Sequence, residues 1–91
     1  MKKQNIKVLN LKEVFYTDLE GKKITINFDQ KDFANTLLAN ANSIEMDEFA
    51  RELHKNGKAE VSDIVESELL TILPQMYKHR VVEAIKESIN N

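Results

Sequence analysis

Hydrophobic and polar positions alternate over the first third of the chain, before the spacing becomes helical. Ile24, Ile26 and Phe28 are separated by polar residues, which is the period of two of a strand with one buried face. An earlier run, residues 6–17, is rich in β-branched and aromatic side chains. Between these runs, residues 18–22 carry Asp at the first turn position and Gly at the fourth, which favours a type I turn closed by a glycine bulge. The pattern predicts a β-hairpin with strands near 6–17 and 22–28.

Helical spacing of the apolar residues begins directly after this hairpin. Asp29 is a good N-cap residue, and Phe28 and Phe33 are spaced as a hydrophobic staple around it. A second helix is predicted over about 46–55. It ends at Asn-Gly, where Gly57 can take the left-handed conformation that stops a helix.

The last third of the chain predicts one or two further helices around a proline. Ser62 is placed to cap a helix over 62–73. Pro74 can kink one long helix or begin another. Because proline disfavours helical geometry at the preceding Leu73, we expect a break there and a fourth helix over about 74–89.

These elements predict an α+β fold, with an N-terminal antiparallel β-hairpin followed by three to four packed α-helices. Residues 1–91 form one domain in this interpretation, with the hairpin at about 6–28 and the helical part at about 29–90, and the link 59–61 is able to run extended. The predicted core consists of Ile24, Ile26, Phe28, Phe33, Leu37, Phe49, Leu53, Val65, Leu69, Ile72, Val81 and Ile85.

The amino-acid composition excludes several classes of protein. The chain has 91 residues and no cysteine, which excludes a disulfide framework, a cysteine-ligated zinc site and thiol catalysis. No apolar run approaches the length of a membrane span, and the start of the sequence lacks the apolar stretch of a secretory signal. We therefore expect no membrane association and a cytoplasmic location.

No reactive constellation is recognisable in the sequence. His54 and His79 each lie among charged residues on predicted helices. Glu48 and Glu52 share a helix face, but no Glu-x-x-His motif accompanies them. Two glycines cannot build a phosphate loop or a dinucleotide fingerprint. We expect a protein that is not an enzyme, with no cofactor, no metal site and no catalytic residue.

Charge is distributed unevenly, which bears on nucleic-acid binding. The net charge is −2, but residues 1–31 carry +3 and residues 32–91 carry −5. The acidic helix 62–73 would repel phosphate in a helix-turn-helix arrangement, so nucleic acid is an unlikely partner. The alternative function is a small nucleic-acid-associated accessory protein acting through its basic hairpin. The basic residues of that hairpin region are Lys2, Lys3, Lys7, Lys12, Lys22 and Lys23.

Surplus apolar surface predicts a non-enzymatic protein-interaction or accessory function. A hairpin with apolar residues on both faces, packed on one helical layer, leaves one face uncovered. The partner would be another protein or a second copy, with homodimerisation through the hairpin or through helix 74–90. The predicted interaction residues are Leu9, Leu11, Phe15, Tyr16, Tyr77, Val81, Ile85 and Ile89.

The order of these motifs resembles a group of small proteins. The hairpin is followed by Phe-Asp-Gln-Lys-Asp-Phe-Ala at 28–34, by Glu-Phe-Ala-Arg-Glu-Leu at 48–53, and by Ala-Glu-Val-Ser at 59–62. This order resembles small uncharacterised proteins of prophages and other mobile elements in Bacteroides-like bacteria, and more loosely phage tail-assembly chaperones. The resemblance implies a phage- or mobile-element-derived accessory protein and carries no functional residue to this chain.

Overall fold

The structure, a computed structural model, describes residues 7–90. Strands and helices are mixed along the chain, and the described strands form two separate two-stranded antiparallel sheets. The elements in order are β1 (Lys7–Asn10), β2 (Phe15–Thr17), β3 (Lys23–Thr25), α1 (Gln30–Ala39), α2 (Ile44–Asn56), β4 (Lys58–Val61), α3 (Asp63–Met76) and α4 (His79–Asn90). The α+β class predicted from the sequence is confirmed.

The β2–β3 hairpin forms around the predicted turn. The Gly21 N–H donates to the Asp18 carbonyl over 3.0 Å, and Gly21 has φ +86°. One carboxylate oxygen of Asp18 also accepts from the backbone N–H groups of Glu20 and Lys22, at 2.9 and 2.8 Å. The aspartate and the glycine therefore determine this turn as the sequence indicated.

The predicted first strand, 6–17, is wrong as a single element, because the chain turns after Asn10. The Asn10 side chain accepts from the Lys12 N–H at 3.0 Å, and its carbonyl accepts from the Glu13 N–H at the same distance. Such local side-chain bonds let asparagine reverse the backbone. The hairpin is accordingly limited to Phe15–Thr17 and Lys23–Thr25, and position 6 lies outside the described residues.

β1 pairs with β4, the segment that the sequence marked only as an extended link. The strands are antiparallel, with Lys7 opposite Val61 and Leu9 opposite Ala59. One face of this sheet, with Leu9, Ala59 and Val61, is buried. The other face carries Val8 and the polar residues opposite and beside it.

The first three helices begin at side-chain caps. Asp29 accepts from the N–H groups of Lys31 and Asp32, as predicted, and Ser62 accepts from that of Val65 at 3.2 Å. Ser43 caps α2 in the same way, so α2 begins two residues before the predicted start at position 46. Each cap satisfies backbone donors that have no partner inside the helix.

Pro74 lies inside α3, so the predicted helix break at this residue is wrong. Proline removes the bond that position 74 would donate to the carbonyl of Leu70. Both residues are exposed on the helix, so water can solvate that carbonyl, while Ile72 and Leu73 are anchored in the core. The break comes instead at Tyr77, which is extended (φ −130°, ψ 159°), and α4 begins at His79 rather than at residue 74.

The buried side chains form one apolar cluster to which all four helices and the β1–β4 sheet contribute. The predicted core residues Phe33, Leu37, Phe49, Leu53, Val65, Leu69, Ile72 and Ile85 are buried in it. Ile24, Ile26 and Phe28 are only half-buried, because the hairpin is shorter than predicted and contributes fewer inward positions, and Val81 on α4 is half-buried as well.

The two glycines with positive φ provide a matched test of the turn before β4. A Cβ on Gly57 (φ +77°) would lie 2.9 Å from the Gln30 side-chain oxygen, whereas a Cβ on Gly21 meets nothing within 4 Å. Gly21→Ala should therefore lower the free energy of unfolding by about 1 kcal/mol, the cost of the left-handed backbone. Gly57→Ala should cost about 2 kcal/mol, because it also displaces the Gln30 amide from the His54 carbonyl, 2.9 Å away. Urea denaturation of both variants measures the difference, and equal losses would contradict this role of Gly57.

Candidate functional site

Four of the eight predicted interaction residues are core residues, so the prediction that they form an exposed surface is wrong. Leu9 and Ile85 are fully buried, and Leu11 and Ile89 are only 4% and 5% exposed. The physical reason is that α4 packs along β1 and β2, and this packing covers the apolar stripe that the sequence left unpartnered.

The other four predicted interaction residues lie where the hairpin and α4 meet. Phe15 is 38% exposed, and the Lys23 ammonium lies 4.5 Å from the centre of its ring. The Arg80 guanidinium lies 5.9 Å from the ring of Tyr16, which is half-buried. These cation–π contacts already occupy both rings.

Tyr77 and Val81 are half-buried against the core. The Tyr77 ring contacts Phe28 edge to face, with a centroid distance of 6.0 Å, and the tilted ring of Phe33 at 5.7 Å. Burial, with a smaller contribution from the Asp32 carboxylate, raises the pKa of the Tyr77 phenol. Tyr77 therefore acts in packing the helical part of the chain.

The described lysines of the predicted basic hairpin lie in two places, because Lys12 and Lys23 line one concave surface whereas Lys7 is paired with Glu66. Lys22 and Lys23 lie on the hairpin, and Lys12 lies in the turn before it. Lys7 is on β1, where its ammonium forms a salt bridge of 2.7 Å with Glu66 on α3. That bond is the main cause of the raised pKa of Lys7. Positions 2 and 3 lie outside the described residues.

An open groove of about 940 Å³ lies between β4 and α2. We call it the β4–α2 groove. One wall is the whole of β4, and the opposite wall is a face of α2 that runs from Glu45 to Asn56. Gly57 is the single residue between the two walls, and its left-handed backbone reverses the chain from helix to strand.

The floor of the β4–α2 groove is apolar. Phe49 from α2, Ala59 and Val61 from β4 and Val65 from α3 line it, and each is buried. Val8, on the opposite face of the β1–β4 sheet, lies at the groove margin and is 38% exposed. A bound side chain can therefore contact hydrophobic groups that are already held rigidly in place.

The edge of β4 that faces away from β1 has unpaired backbone groups. The Leu11 N–H donates to the Gly57 carbonyl over 2.9 Å, which makes residues 11 and 57 a hydrogen-bonded pair. Hydrogen-bonded and non-bonded pairs alternate along an antiparallel ladder. The N–H and C=O groups of Ala59 and Val61 therefore point toward β1, whereas those of Lys58 and Glu60 point away from it. Within residues 7–90, no strand pairs with that edge.

The rim of the groove is acidic. Glu45, Glu48 and Glu52 line it from α2 and Glu60 from β4, all of them exposed. Glu52 accepts a hydrogen bond from the Asn56 amide, while the other three make no ion pair within the described part of the chain. Glu48 and Glu52 are four residues apart on one helix, a spacing at which like charges repel.

Within residues 7–90, the structure contains neither a metal-binding cluster nor a membrane-spanning helix. No group of three or more His, Cys, Asp or Glu side chains there is arranged to hold a metal ion. His54 and His79 are both exposed, on α2 and α4 respectively. None of the helices formed by these residues has the length and apolar character needed to cross a bilayer.

Comparison of the chain with protein-family models, with curated proteins and with solved structures gives no match. The resemblance to mobile-element proteins stays a prediction, and functional conclusions depend on the groove itself.

The β4–α2 groove is not predicted by the sequence, although Glu48 and Glu52 are recognisable there as two carboxylates on one helix face. Nothing local to these residues shows that a strand lies beside them. The available signal was the alternation at 58–61, where charged Lys58 and Glu60 are interleaved with Ala59 and Val61.

The burial of Leu11, just after β1, and of Ile89 on α4 determines what a charge at either position should do. Leu11→Lys and Ile89→Lys should each abolish the cooperative folded state rather than produce a folded monomer, because each places an unpaired ammonium in the core. Leu19→Lys, at a fully exposed turn position, is the matched control and should change the free energy of unfolding by less than about 0.5 kcal/mol. Circular dichroism during thermal unfolding measures all three, and a wild-type midpoint for Leu11→Lys or Ile89→Lys would contradict the packing.

The raised pKa of Tyr77 predicts a loss of stability in alkali. In the unfolded chain Tyr77 ionises near the ordinary pKa of about 10, whereas the folded protein keeps Tyr77 neutral to higher pH. The contribution is therefore complete below about pH 10 and disappears as the pH rises through the folded pKa. Tyr77→Phe should lose less stability than the wild type as the pH is raised above about 10. Urea midpoints at each pH provide the measurement, and identical losses in the two proteins would refute it. Lys7 is present in both proteins, so its contribution to the pH dependence is the same in each.

Proposed function

We propose that this chain is a non-enzymatic protein-interaction module that binds a partner protein in the β4–α2 groove. The observation that carries the proposal is the combination of an open groove, a buried apolar floor and a strand edge with unpaired backbone groups. Concave surfaces with an apolar floor and a few placed polar groups are the usual sites of recognition.

The groups that line the groove also support binding rather than catalysis. Besides exposed carboxylates, the groove is lined by two lysines, an asparagine and the hydroxyl of Ser62, and that hydroxyl is engaged as the cap of α3, where it accepts from the Val65 N–H. The floor residues belong to the core, so the groove keeps its shape without a ligand, which reduces the entropic cost of binding.

Nucleic-acid binding through the hairpin is less well supported. Lys7 is engaged with Glu66, and Lys23 lies over Phe15, so fewer lysines are available to phosphate than the sequence suggested. The acidic rim of the groove would repel a phosphate backbone.

Charge reversal at two exposed glutamates tests the proposal. The tagged protein is recovered from the cells that produce it, each co-purifying protein is prepared in pure form, and its dissociation constant is measured against wild type, Glu48→Arg and Glu20→Arg. Glu48 lines the groove and Glu20 lies in the hairpin turn, so both variants make the same change of charge at different places. Glu48→Arg should weaken binding by about tenfold or more, while Glu20→Arg leaves it within about twofold.

Two results would contradict the proposal. One is a partner whose affinity is unchanged by Glu48→Arg or is lowered by Glu20→Arg. The other is recovery of nucleic acid that binds with a steep salt dependence and is lost on Lys23→Glu, which would support the alternative function.

A further inference from the structure

We infer that the occupant of the β4–α2 groove is an extended, basic segment of a partner protein, which adds to the free edge of β4 as a third strand. This inference rests on the proposed function and specifies the chemistry of the partner. It follows from three features of the groove: its backbone edge, its floor and its charge.

The edge supplies the backbone bonds. Lys58 and Glu60 together present two N–H and two C=O groups away from β1, spaced as in any antiparallel ladder. An extended peptide that adds to such an edge gains its affinity from main-chain hydrogen bonds. The Gly57 reversal holds α2 alongside, so the added strand lies between β4 and a helix.

The floor requires alternation in the bound segment. Successive side chains of a strand point to opposite faces. One set will therefore face Phe49 and Val65 on the buried side of β4, and the other will face solvent near Glu60 and the α2 carboxylates. The matching sequence has small apolar residues at every second position and polar residues between them.

Charge decides that those polar residues are lysine or arginine. Four carboxylates surround the groove, at positions 45, 48, 52 and 60. Of the two lysines that line it, Lys7 is already bound to Glu66. A basic segment relieves the repulsion between Glu48 and Glu52, whereas an acidic segment would increase it.

The probe is the synthetic peptide acetyl-Lys-Val-Lys-Val-Lys-Val-amide, with an otherwise identical glutamate peptide as its control. Titration by calorimetry at low salt should show binding of the lysine peptide to the full chain and none of the glutamate peptide. Hydrogen exchange followed by NMR should slow at the amides of Lys58 and Glu60 by about tenfold or more on binding. The Ala59 amide, already bonded within the β1–β4 ladder, is the internal control and should change little.

Two pairs of variants separate the backbone contribution from charge. Glu60→Pro removes the outward N–H and leaves the ladder to β1 intact, because proline is tolerated at a position whose N–H faces away from the ladder. Glu60→Ala removes the same carboxylate and keeps the N–H. We expect Glu60→Pro to abolish peptide binding and Glu60→Ala to weaken it by a few fold. Glu48→Gln with Glu52→Gln should weaken it by about tenfold, with a smaller salt dependence. A thermal melt checks that each variant remains folded.

Several outcomes would overturn the inference. Peptide binding without protection of the Lys58 and Glu60 amides would mean charge adsorption only. Equal affinity for the glutamate peptide would remove the basic specificity. Concentration-dependent dimerisation that protects these amides without peptide would make a second copy the occupant. Competition by a single-stranded oligonucleotide would indicate nucleic acid instead.

The two proposals fail in distinguishable ways. If Glu48→Arg weakens the binding of a partner but the lysine peptide does not bind, the proposed interaction function is retained and strand addition is rejected. If no partner shows that sensitivity and the peptide does not bind, both fall.

Discussion

The pairing of β1 with β4 is the interaction on which the rest of the structure depends. It joins Lys7 to Val61 across more than half the chain, and it places the β4 edge beside α2. The same pairing buries Leu9 and Ala59 opposite one another and gives α4 a surface to pack on. Without it, the elements between the two strands would retain their caps and turn but would have no fixed relation to the N-terminal segment.

Local signals accounted for the parts of the fold that were predicted correctly. Asp29, Ser62, Gly57 and the turn at Asp18 act through hydrogen bonds or backbone preferences within a few residues. Their effect is therefore legible in a single sequence. The staple of Phe28 and Phe33, with ring centres 5.1 Å apart, belongs to the same class.

The errors arose where distant contacts or solvent decided the outcome. Asn10 turns the chain through local bonds to Lys12 and Glu13, but the pairing of β1 with the distant β4 is not visible in the local sequence. Pro74 disfavours a helix locally, yet the packing of Leu73 and the exposure of Leu70 allow α3 to continue. The groove combines both problems, since Glu48 and Glu52 were visible but their neighbour β4 is held in place by residues some fifty positions away.

The short length of β4 has a consequence for aggregation. An open strand edge is a template for indiscriminate pairing between copies, and proteins limit this with brevity and charge. β4 has four residues, and the two whose backbone groups are unpaired carry a lysine and a glutamate. A parallel, in-register stack of copies would place lysine on lysine and glutamate on glutamate, so the edge disfavours that form of fibrous stacking while remaining open to a strand of complementary charge. Solubility and selectivity thus depend on the same two side chains.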